Sequence, residues 1–117
     1  MDKHVPDESR CRKLRDLGIE FPGYNFHYVY DHEAMTWFIQ YKPAKWMSEL
    51  RPIPAPLVSE MLEVMPQGTL VVKDPIGQES GFAVWCKESN YIYAKTSPNA
   101  LADLLIWLKE NNHLEAQ

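Results

Sequence analysis

The chain has 117 residues, 45% of them hydrophobic, which is enough for one contiguous core and too little for two. Its 16 acidic and 12 basic residues leave a net charge of −4 that repels nucleic acid overall, and no run approaches the roughly 20 apolar residues that a membrane helix requires. Cys11 and Cys86, far apart and outside any C-x-x-C pair, argue against a disulfide framework and a four-cysteine zinc site. The opening Met1 to Glu8 lacks the apolar centre of a signal peptide, so the cytosol is the expected compartment.

Residues 1 to 7 are polar and aperiodic, and a loose leader is expected there. Glu8 to Leu17 reads as a short helix, with Cys11, Leu14 and Leu17 recurring every three residues. Arg10, Arg12, Lys13 and Arg15 fall on its other faces and form a solvated basic face. Gly18 suits the left-handed residue that closes a helix, and Ile19 can fold back onto the last turn. Tyr24 to Tyr30 then alternates, with Tyr24, Phe26, Tyr28 and Tyr30 on one side. Met35 to Lys42 alternates again, with Met35, Trp37, Ile39 and Tyr41 together, so the two runs predict an antiparallel hairpin. Phe38 and Val29, on the nominally polar side, imply that the second face is partly covered.

Four prolines make Pro43 to Pro56 irregular, neither an ordinary strand nor a long helix. Trp46, Met47 and Leu50 within it are bulky for a loop and form a flap that packs on the core or meets a partner. Pro56 opens a second helix whose stripe is Leu57, Val58, Met61, Leu62 and Met65, and Pro66 ends it. Thr69 to Asp74, Ser80 to Lys87 and Tyr91 to Thr96 predict a three-stranded meander. Ser97 as N-cap and Pro98 at the first helical position start the last helix, which buries Leu101, Leu104, Leu105 and Leu108 and carries Lys109 and His113 near its end. The expected fold is a single α+β domain over residues 8–114. It has about five mainly antiparallel strands in one sheet, with three helices packed on it, in the order α-β-β-α-β-β-β-α.

No catalytic, cofactor or metal site is expected. His4, His27, His32 and His113 have no metal-ligand spacing, and Asp31, His32 and Glu33 are consecutive residues of a solvated turn. The five glycines are scattered among turns and build no phosphate loop. Cys86 shares a face with Phe82 and Val84 and reads as a small core residue, and no serine lies in a G-x-S-x-G elbow. Four Trp, six Tyr and four Phe in so short a chain are more distinctive. They point to a protein-interaction module whose candidate partner surface is Tyr28, Tyr30, Trp37, Trp46, Met47 and Leu50, meeting a foreign protein or a second copy in a homodimer. A nucleic-acid accessory protein stacking bases on the first hairpin is an alternative, weakened by the lack of a basic groove. A small enzyme with a site assembled from distant residues is another.

Cys11-Arg12-Lys13-Leu14-Arg15-Asp16-Leu17-Gly18, Pro54-Ala55-Pro56 leading to Leu62-Glu63-Val64-Met65-Pro66, and Asn99 to Asn111 together resemble small phage and prophage proteins of unknown function. The resemblance spans most of residues 8–114 and consists of helix caps and core leucines. It implies a mobile-element origin and an accessory role, with no activity attached. The aromatic first hairpin and Trp46-Met47 depart from that pattern.

Overall fold

The computed structural model of the chain describes residues 4–21, 26–42, 51–73 and 80–114. The elements among them are α1 (Glu8–Asp16), β1 (Phe26–Asp31), β2 (Thr36–Tyr41), β3 (Ile53–Pro54), α2 (Val58–Val64), β4 (Leu70–Lys73), β5 (Phe82–Trp85), β6 (Ile92–Ala94) and α3 (Ser97–Glu110). The class is α+β, as the periodicities predict. The single five-stranded sheet is not formed. Two antiparallel three-stranded sheets stand in its place, ordered β2-β1-β3 and β4-β5-β6. No helix among the described residues is long and apolar enough to cross a membrane.

The sixth strand accounts for the difference. Ile53 and Pro54 pair with Tyr28 and His27, and the Ala55 N–H donates to the Phe26 carbonyl at 2.8 Å. A proline is tolerated there because β3 is an edge strand and its missing N–H breaks no ladder. The hairpin thereby gains a third strand of its own, and Ile53 and Ala55 become fully buried. The rest of the proline-rich stretch up to Leu50, including Trp46, Met47 and Leu50, lies outside the described residues.

The two sheets carry separate cores. Leu14, Ile19, Phe21, Met61, Val84, Cys86 and the leucines of α3 form the larger. Val5, Cys11, Tyr28, Ile53 and Ala55 form the smaller, flanked by Phe26, Trp37, Ile39 and Leu57. Helix α1 joins them, because its three-residue spacing turns Leu14 toward one and Cys11 toward the other. A bidentate pair then locks α1 to α3. Arg10 Nε and Nη2 donate to the two carboxylate oxygens of Asp103 at 2.8 and 3.1 Å, and this pairing chiefly holds the guanidinium charged above its ordinary range.

The expectation of a loose leader fails for Val5 to Asp7. Val5 and Pro6 are buried, the Tyr28 hydroxyl donates to the Pro6 carbonyl at 2.7 Å, and the Asp7 N–H donates to Asn99 Oδ1 at 2.9 Å. Asp7 is also the N-cap of α1, accepting from the Arg10 N–H at 3.0 Å. Polarity alone could not reveal this, since the polar Asp7 is held by hydrogen bonds and the one strongly apolar residue, Val5, supplies the anchor.

Helix ends follow local chemistry closely. Gly18 has φ +76°, its N–H donates to the Arg15 carbonyl, and the Ile19 N–H reaches back to the Leu14 carbonyl. That is the Schellman closure expected of Gly18-Ile19. A Cβ at Gly18 would meet nothing within 4 Å, so Gly18→Ala is expected to lose about 1 kcal/mol through backbone strain alone, measurable by denaturant unfolding. Asn112, with φ +60°, closes α3 in the same way, its own N–H donating to the Lys109 carbonyl and the His113 N–H to the Leu108 carbonyl. At the start of α3 the N-cap is Thr96 rather than Ser97. Its hydroxyl accepts from the Asn99 N–H at 3.4 Å, which puts Ser97 inside the helix. In α2, Leu62 is exposed whereas Met61 is fully buried, so Leu62 leaves the expected stripe. Neighbouring helical positions are about 100° apart, so with Met61 pointing into the core Leu62 is turned toward its rim.

Candidate interaction surface

The hairpin forms as expected, in a register that sets Tyr28 opposite Ile39, Tyr30 opposite Trp37 and Phe26 opposite Tyr41. Most of its rings are spent within the protein, with Tyr41 at the open end still 53% exposed. Tyr28 is 8% exposed and its hydroxyl is bonded to Pro6, so it has nothing to offer a partner. Tyr30 meets Trp37 edge-on at 5.3 Å and His32 at 5.0 Å. The Arg12 guanidinium lies 5.6 Å from the centre of the Trp37 ring, so α1 covers that ring with a cation–π contact. Of the six residues expected to form a partner surface, Tyr28 is core, Tyr30 and Trp37 are half-buried, and the other three are outside the described residues. On the opposite side of the hairpin Val29 is fully buried and Phe38 is 37% exposed.

The groups with reactive potential serve structure. Asp31 Oδ1 accepts from the N–H groups of Glu33 and Ala34 at 2.9 and 3.2 Å, which spends that oxygen on the four-residue turn. Cys86 is buried, its N–H donating to Ser89 Oγ at 3.2 Å. Cys11 is 1% exposed, with its thiol directed at the Pro6 carbonyl at 3.5 Å. Burial, and secondarily the carboxylates of Asp7 and Glu8, push this thiol well above its ordinary range. The folded chain therefore keeps the Cys11 proton at pH values where the unfolded chain releases it. Its stabilising contribution is complete below the unfolded thiol value of about 8.5 and falls above it by roughly 1.4 kcal/mol per pH unit. Denaturation between pH 7 and 10 is expected to show this decline, and Cys11→Ala to flatten it.

A cavity of about 220 Å³ lies at the seam between the two cores, lined by Cys11, Leu14, Arg15, Ile19, Phe21 and Pro54 among others. Arg15 pairs with Asp16 at 3.0 Å. Glu20 also lines the cavity, so its wall mixes polar and apolar groups.

The surface with unspent binding capacity is on the second sheet. Strand β5 turns Phe82 and Val84 toward α3, so Ala83 and Trp85 face away from it. The register sets Val72 and Tyr93 on either side of Ala83, and Leu70 beside Trp85. Ala83, outside both cores, is nevertheless 2% exposed, because it is roofed by these larger neighbours. Tyr93 is held flat against the sheet. Its hydroxyl donates to the Ser80 carbonyl at 2.9 Å, and its ring lies over Gly81, where a Cβ would come within 2.5 Å of the hydroxyl oxygen.

Beyond this row, Leu70 is 51% exposed, Val71 and Val72 37% each, and Tyr91 57%. Among the described residues strand β4 is the edge of its sheet, paired with β5 alone. A chain scan misses this patch because each strand's apolar face is first assigned to the core. The available signal was the second set at alternate positions, Ala83 and Trp85 against Phe82 and Val84, with Tyr91 and Tyr93 on the following strand. Comparison with protein-family models, with curated proteins and with solved structures gave no match.

Proposed function

We propose that the chain is a non-catalytic protein-interaction module that receives its partner on the outer face and open edge of the β4-β5-β6 sheet. One observation carries this reading: Leu70, Val71 and Val72 are exposed together on an edge strand. Apolar residues on an edge strand are a liability unless something covers them. A partner segment in extended conformation would pair with the outer edge of β4 and set alternate side chains beside Leu70 and Val72, the usual mode of strand addition. Burial of Tyr28 and the Arg12 cover on Trp37 leave fewer rings of the first hairpin for base stacking, which favours the protein-interaction reading over the nucleic-acid one. A phage or prophage setting, implied by the resemblance, suits a small accessory module of this kind.

Site-specific photo-crosslinking in cells tests the reading. A photoreactive amino acid in place of Val72 is expected to capture a discrete protein, while one at the exposed Ser59 of α2 captures none. Capture from 72 that disappears with Leu70→Glu supports the assignment. Equal capture from both positions, or none from 72, overturns it.

A further inference from the structure

We infer that the chain forms a two-fold homodimer by antiparallel pairing of β2 with β2 of a second copy, making one six-stranded sheet ordered β3-β1-β2-β2-β1-β3. This surface belongs to the other sheet and stands or falls independently of the partner site on β4. Strand β2 is an edge strand with a partner on one side only among the described residues. Its six residues, Thr36-Trp37-Phe38-Ile39-Gln40-Tyr41, contain no charge, proline or glycine. None of the devices that usually protect an edge is present within it.

The ends of the strand specify a second copy rather than an arbitrary strand. At its start is the turn bearing Glu33, which is exposed; just past its end is Lys42, also exposed. An antiparallel two-fold centred on Phe38 brings Lys42, just past the end of β2 in each copy, to the end where the other copy carries the turn with Glu33, so opposite charges approach twice by symmetry. The same operation pairs Trp37 with Ile39, Thr36 with Gln40, and Phe38 with its own counterpart, with no like charges opposed. Phe38, 37% exposed in one chain, would be covered by its symmetry mate. Helix α1 makes its main sheet contact with β3, on the far side of β1 from β2, so among the described residues nothing pairs with the outer edge of β2. A strand-edge contact of six residues falls below the standard interface of about 800 Å² per partner, so the dimer is expected to be weak, with a dissociation constant on the order of 100 μM. Pairing would present the two β4 faces together and raise the avidity of each for a multivalent partner.

Analytical ultracentrifugation of the full chain over a concentration series decides the matter. The wild type is expected to show a monomer–dimer equilibrium that weakens with salt. Lys42→Glu should raise the dissociation constant roughly tenfold, because two symmetric contacts turn repulsive at once. Adding Glu33→Lys should restore it, and both residues are exposed, so the fold is unaffected. A monomer at every concentration, or a dimer indifferent to Lys42→Glu, or one that the charge exchange does not rescue, overturns the assignment.

Discussion

Met61→Ala is expected to lose 2–4 kcal/mol of unfolding free energy, while Leu62→Ala, one residue along, stays within about 0.5 kcal/mol. Both were assigned to one buried stripe by helical spacing. Met61 is fully enclosed between α2 and α3, and removing its side chain beyond Cβ leaves a cavity that the leucines of α3 cannot fill without leaving their rotamers. Leu62 is 40% exposed and forfeits little. Urea unfolding of the two variants measures the difference, and equal losses would mean that α2 is rotated about its axis from the arrangement described.

The second large effect is expected at the clamp between the first and last helices. Asp103→Ala removes two charge-assisted hydrogen bonds to Arg10, whose side chain is about a third exposed, as is that of Asp103 itself. The expected loss is about 1–2 kcal/mol, more than a surface ion pair supplies, because the pairing is bidentate and partly shielded. Arg10→Lys should lose nearly as much, since an ammonium cannot bridge both oxygens. A double-mutant cycle with Arg10→Ala isolates the coupling, expected at about 1 kcal/mol. Hydrogen exchange supplies a second signature: amides of α1 should lose protection in Asp103→Ala before those of α3, because α1 is tied to the body by this clamp and by the Val5-Pro6 anchor.

These two sites also mark how far the residues could be read without coordinates. Arg10 belonged to a cluster expected on a solvated face. Arg12, Lys13 and Arg15 are exposed as that expectation requires, but Arg10 is turned to Asp103, 93 residues away. Charge type and helical spacing fix which residues are neighbours on α1. They carry no information about which distant helix lies against it.

The candidate surface divides in the same way. The alternation in Phe26 to Asp31 and Thr36 to Tyr41 correctly sets Tyr28, Tyr30 and Trp37 on one face. Whether a row of rings faces a partner or the protein's own helix depends on where α1 and the Val5-Pro6 segment lie, and a period of two is silent on that. Leu70, Val72 and Tyr91 stay exposed on the second sheet, where β5 and β6 turn their other faces to the core and β4 is exposed along its whole length.

What the residues determined by themselves is local: the Schellman closure at Gly18-Ile19, the hairpin, the meander, the buried leucines of α3, and the α+β class. Each rests on contacts or dihedral preferences spanning a few residues, so a short window of sequence contains the whole cause. The tertiary structure alone decided that the strands divide into two sheets, that Pro54 joins the first as an edge, that Val5 and Pro6 are anchored against the fold, and that Leu70, Val71 and Val72 stay exposed on β4. Those outcomes depend on which faces meet across the fold, and burial is a property of the assembled layers rather than of any segment within them.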